Sequence, residues 1–296
     1  MKKVLLTLVL LMICFAATPV VDASIISDKA YRAQQAKEIK QDVRQIKSLL
    51  DLHNDCANKH DLKGLESLYA DKYINNDGFD KDTYLKSVEK TWESCEDLSY
   101  TTDVLSVSVN GDYAKVNVLE IANGTVVEDY NGTKIAGEIH STATGIYHLE
   151  KTNGKWYISG ETSLTEDSSL LYGEARFMNI ELQTPEQVAS GETYTVSVKV
   201  DADENTFIMG SIEHDTMKYP ANTPKGALRP LSKAHTLERL IKANSDNLNE
   251  YAVTALAISK IETKNDTKVR LHMAGLACLM RRVNVVPKNN FINLEE

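Results

Sequence analysis

The chain has 296 residues, with 33 Lys and Arg against 42 Asp and Glu, a formal charge of −9 and no basic stretch. That balance speaks against nucleic acid and anionic membrane surfaces as partners. The length suits two globular domains.

The sequence begins MKKVLLTLVLLMICFAATPVVDAS: two lysines, an apolar run over 4–17, and Val21-Asp22-Ala23 as a small-residue cleavage site before Ser24. This is the layout of a secretory signal peptide over residues 1–23, and its apolar run is shorter than the roughly 20 residues that span a bilayer. Cys14 follows Leu11-Met12-Ile13 and lacks the small neighbour of a lipobox, so a lipoprotein is not expected. The expected location is periplasmic or extracellular. Export permits a disulfide, and Cys56 with Cys95 is the favoured pair because both fall in predicted helices of one domain. The competing reading is that Cys56, Cys95 and Cys278 are small buried apolar residues.

Residues 27–60 contain no Gly or Pro, and Ile39, Val43, Ile46, Leu50 and Ala57 recur at helical spacing, which predicts a long amphipathic helix with a polar start. Asp61 caps a short second helix through Leu62, Leu65 and Leu68, ending near Ala70. The stretch YINNDGFDKDTY over 73–84 follows. As a calcium loop it puts Tyr73 and Tyr84 where the ion needs carboxylates, so capping is favoured, with Asp80 as N-cap of a third helix carrying Tyr84, Leu85, Val88, Trp92 and Cys95. After Asp97 the period changes to two: Val107 and Val109, then Ala114, Val116 and Val118, with turns at Asn110-Gly111, Asn131-Gly132 and Asn153-Gly154. Helices followed by an antiparallel meander is an α+β layout.

Residues 164–174 are polar and acidic and read as a linker between an α+β domain (24–163) and a second domain (175–296). In the latter, short alternating segments around Tyr194, Phe207, Leu237, Tyr251 and Val269 predict an all-β sandwich of immunoglobulin type. The segment PANTPKGALRP is expected to be a surface loop.

The run HNDCANKHDLKGLESLYADKYINND, the third helix and the closing GKWYISGE strand together resemble the nuclear transport factor 2-like superfamily over residues 35–162. The resemblance implies a cone, with helices packed on a bent sheet and a pocket at the open end. Members that are ketosteroid isomerases keep a proton-shuttling aspartate shortly after the leucine-aromatic-alanine-aspartate motif, a position that falls on Asp77. Their first-helix tyrosine falls on His53 and their oxyanion aspartate near Ile146. Because Ile146 cannot donate to an oxyanion, steroid isomerisation is not expected. An isomerase, cyclase or hydrolase with Asp77 as base and His53 as its partner is the alternative to a non-catalytic protein that binds a small apolar molecule or a protein partner.

Tyr69, Tyr73, Trp92 and Tyr147 supply aromatic surface for such a ligand, or else simply fill the cone. His140 and His148 share one strand face, which either lines the cone or meets solvent. Arg239, Arg281 and Arg282 form an anion patch or lie solvated on strand faces. No cofactor and no metal are expected, and a homodimer through the sheet face is a further possibility.

Overall fold

A computed structural model describes residues 23–130, 132–221, 226–265 and 268–288. Residues 1–22 of the leader read over 1–23, and Asn131, lie outside the described residues. Two compact units divide the chain, Met1–Gln45 and Ile46–Glu296. The described part of the first is the polar start of helix α1 (Ala23–Asn58), in which residues 31–41 are exposed.

In the second unit, α1 buries Ile46, Leu49, Leu50, His53, Cys56 and Ala57, a stripe at three- and four-residue spacing. Asp61 then caps α2 (Leu62–Glu66), accepting the Gly64 N–H at 2.9 Å. The predicted continuation of that helix to Ala70 gives way to strand β1 (Tyr69–Asn75), which lies parallel to β5 (Lys155–Gly173). Asp80 caps α3 (Lys81–Ser94), its carboxylate accepting the Thr83 N–H at 2.9 Å, and Asp82 stands in the first turn as the helix dipole favours. Asp80→Ala is expected to lower the melting temperature, and Asp80→Asn, which keeps an accepting oxygen, to recover most of the loss. Equal melting of both variants and the parent protein would show the cap to be idle.

Strands β2 (Ser99–Asn110), β3 (Tyr113–Tyr130), β4 (Thr133–Thr152) and β5 form the predicted meander. Its last turn has Asn153 at φ +53° and Gly154 at φ +79°, the left-handed pair that a two-residue hairpin demands. Ala114, Val116 and Val118, Tyr147 and Leu149, and Trp156 and Ile158 face the helices and make the first core. Bulges between Val104 and Ser106, between Thr144 and Gly145, and between His148 and Leu149 break the ladder, and bulges of this kind bend a sheet.

The expected linker over 164–174 is strand instead. β5 runs on to Gly173, and its distal half pairs with β13 (Lys268–Val286) from Asp167 to Gly173. One path of hydrogen-bonded strands therefore continues from the meander through β13 to β12 (Glu250–Asn265), β9 (Thr206–Thr216) and the two-residue β10 (Arg229–Pro230). The acidic residues that suggested a linker sit on this shared strand, where Asp167 meets Arg281 at 3.0 Å. A separate sheet of β6 (Ile180–Gln183), β8 (Thr193–Val200) and β11 (Thr236–Lys242) supplies Val196, Val198, Val200 and Ile241 to a second core. Opposite them are Ile208, Ile212, Leu256, Ile258 and Val283. The C-terminal half is thus β-structure apart from one 3-10 turn (Glu174–Phe177), among the described residues. Within the expected loop, residues 222–225 lie outside the described residues, and Arg229–Pro230 pairs with Met209 and Gly210.

Candidate functional site

The turn after β1 is built by short polar side chains. Asn75 Oδ1 accepts from the Asp77 and Phe79 N–H groups at 3.0 and 2.8 Å, and Gly78 takes φ +83°. Asn76 exchanges two hydrogen bonds of 3.1 Å with Ser163 on β5. These contacts turn Asp77 away from the first core and towards β13. Arg282 Nη1 donates to Asp77 Oδ2 at 3.0 Å and Nη2 to Oδ1 at 2.5 Å, while Asn249 Nδ2 donates to Oδ1 at 2.9 Å. The Arg282 side chain is 1 % exposed and that of Asp77 8 %. Arg282 Nε is held in turn by Asn284 Oδ1 at 2.8 Å. Both carboxylate oxygens are engaged in a forked, charge-assisted pair. A general base must offer a lone pair to its substrate, and three of the roughly four lone-pair positions of the Asp77 carboxylate are taken by Arg282 and Asn249. Arg282 is accordingly no part of a solvated or anion-binding surface.

A cavity of about 190 Å³ lies elsewhere, between α1, α3 and the inner face of the meander. Ala57, Leu65, Val88, Trp92 and Ile121 give it apolar walls, and His53, Tyr84, Tyr100 and Glu120 add polar atoms. Asp77 is not among its lining residues, so the structure does not bring Asp77 and His53 to a common point. Glu120 is oriented by the Tyr147 hydroxyl, which donates to Oε1 at 2.6 Å. Behind it, the Tyr73 hydroxyl donates to Glu161 Oε2 at 3.2 Å. Burial raises the pKa of both carboxyls, and for Glu161 the neighbouring Glu120 charge raises it further.

His53 Nε2 and the Tyr69 hydroxyl are 2.8 Å apart, and that hydroxyl donates to Tyr84 at 3.1 Å. Burial pushes the His53 pKa down to about 4, which keeps the ring neutral at ordinary pH. Burial also raises the phenol pKa values of Tyr69, Tyr73, Tyr84 and Tyr147, so all four stay protonated donors. The interior therefore combines fixed phenols, a neutral imidazole and two carboxyls, with no Lys or Arg on the cavity wall among the described residues.

Of the residues singled out from sequence, His53 and Trp92 line the cavity, and the Trp92 indole N–H donates to the Tyr100 hydroxyl at 3.1 Å. Tyr69, Tyr73 and Tyr147 form the layer behind it, with the Tyr69 and Tyr73 rings edge to face at 4.9 Å. His140 is a correction: it lies on the opposite strand face, exposed, bonded to Asn123 at 2.7 Å. The Cys56–Cys95 disulfide is another. Both thiols are free and buried, and Cys95 Sγ donates instead to the Thr125 carbonyl at 3.3 Å. Glu120 and Glu161 escaped the sequence reading altogether, although Glu120 continues the alternation of Ala114, Val116 and Val118.

No family model and no curated protein matches the chain. Solved structures are similar to its N-terminal portion. A protein described as a scytalone dehydratase from Novosphingobium aromaticivorans is 14 % identical with a TM-score of 0.37, over 43 % of this chain and 86 % of that one. A hexachlorocyclohexane dehydrochlorinase (LinA, type 2) is 13 % identical with a TM-score of 0.35, over 43 % and 87 %. A protein described as a dehydratase of the nuclear transport factor 2-like family from Streptomyces avermitilis is 18 % identical with a TM-score of 0.32, over 42 % and 96 %. The N-terminal portion of this chain itself places three helices before and beside an antiparallel meander, with β1 parallel to β5.

Proposed function

We propose that this is an exported, non-catalytic binding protein. Its N-terminal portion holds a small molecule of mainly apolar body in the cavity beside Trp92. The C-terminal half, an immunoglobulin-like sandwich, serves as the module that meets a protein partner. The observation that carries the ligand assignment is the cavity itself: apolar walls with a few convergent polar groups are the usual make-up of a small-molecule site. The leader read over residues 1–23 supports export. An acid–base enzyme built on Asp77 fares worse, since that carboxylate is bound by Arg282 and Asn249 outside the cavity.

The test is mass spectrometry of the protein purified from cells that naturally produce it, denatured and extracted. A small molecule in stoichiometric amount is expected, along with a chain that begins at Ser24. Ala143→Phe, which fills the cavity from the β4 side, is expected to remove the molecule while the protein still melts cooperatively. Absence of any stoichiometric molecule, or its equal retention by the filled variant, would overturn the assignment.

A further inference from the structure

Among the described residues the cavity has one carboxyl on its wall and no cationic side chain to balance it. Glu120 lines the space, Tyr147 fixes one of its oxygens, and the other makes no hydrogen bond among the described residues. Among the described residues no Lys or Arg lines the cavity, and His53 stays neutral through burial and contributes no positive charge. Behind Glu120 stands a second carboxyl, Glu161, held by Tyr73. The guanidinium on that side, Arg282, is committed to Asp77.

Three aromatic residues also line the cavity: Tyr84, Trp92 and Tyr100. Their negative faces attract a cation, most strongly where water is excluded. A carboxylate free at one oxygen beside aromatic rings is a site that attracts positive charge, repels anions, and gives a neutral ligand only the apolar walls and an ordinary hydrogen bond.

Resting on the binding reading above, we propose that the ligand is an organic cation: an ammonium group on a compact apolar body, with Glu120 as its counter-ion. The ammonium donates to the free oxygen of Glu120. The apolar body lies against Ala57, Leu65, Val88 and the Trp92 ring. A charge-assisted hydrogen bond is roughly twice as strong as a neutral one.

Three probes of nearly equal shape separate the possibilities: 2-phenylethylamine, 2-phenylethanol and phenylacetate, titrated calorimetrically into the full chain at neutral pH. The amine is expected to bind at least about tenfold more tightly than the alcohol, and the carboxylate not at all. Glu120→Gln keeps an acceptor for Tyr147 and is expected to erase the difference between amine and alcohol, and Ala143→Phe to abolish amine binding. The three-probe ranking needs no variant and stands even if Glu120→Gln fails to fold. Alcohol and amine of equal affinity would overturn the cation preference and leave the cavity assignment intact. Binding by none of the three would overturn both. A preference that survives Glu120→Gln, or amine binding that survives Ala143→Phe, would overturn the proposed site.

Discussion

Arg282→Ala is expected to lower the unfolding free energy by about 3–5 kcal/mol, the cost of leaving a buried charge without its partner. Asp77 is the group left behind, 8 % exposed and then supported by Asn249 alone. The double variant Asp77→Asn with Arg282→Met removes both charges together and is expected to recover most of the loss, because a buried pair exchanged whole is often close to neutral. The chain's two tryptophans, Trp92 and Trp156, both sit in the first core, so their fluorescence during a urea titration reports on the N-terminal portion. A change made on β13 should thus move a signal that arises more than a hundred residues away in sequence. A loss below about 1 kcal/mol would mean that the pair behaves as an exposed one.

His53 gives the second large effect, through pH. In the unfolded chain its ring takes a proton near its ordinary value of about 6.5, whereas in the fold burial holds the value at about 4. Above pH 6.5 both states are neutral and nothing depends on the residue. As pH falls from 6.5 to 4 the unfolded chain gains a proton that the native one refuses, and stability drops by about 3 kcal/mol. The raised carboxyls Glu120 and Glu161 act in the opposite sense, since the native state keeps their protons longer than the unfolded state as pH rises above the ordinary glutamate value. The comparison that isolates the imidazole is therefore His53→Gln against the parent protein at each pH. Their difference in stability is expected to change by about 3 kcal/mol between pH 7 and pH 4, in the direction that favours the variant in acid. A difference that stays constant over this range would show that the ring is hydrated in the native state.

What the sequence made legible was local. The α1 stripe from Ile46 onward, the Asp80 cap and the hairpin at Asn153-Gly154 each rest on residues within a few positions of one another and took the expected form, whereas Ile39 at the start of the predicted stripe is exposed. The end of α2 misled because Leu68 continues a helical spacing, while parallel pairing to Ile158 and Gly160 makes the residues after it a strand. Glu120 was readable by carrying the alternation two residues past Val118. Glu161 was not: the bulge between His148 and Leu149 sets Ile158 and Gly160 against neighbouring residues of β4, which shifts the strand by one residue and exchanges its faces beyond that point. The partner of Asp77 lies 205 residues away, and no local pattern announces a contact of that kind.

Because β5 belongs to both cores, the described residues offer no seam between the meander and the C-terminal strands along which they can be cut. A cut at residue 163 would leave Gly137–Thr144 of β4 without the distal half of β5, and would leave that half, still paired with β13, as an open edge of the other piece. Each piece would carry a bare row of backbone donors and acceptors, the feature that drives chains to stick edge to edge. Anyone who wants either half alone must decide who inherits this strand, and whichever fragment goes without it needs a substitute for its missing neighbour.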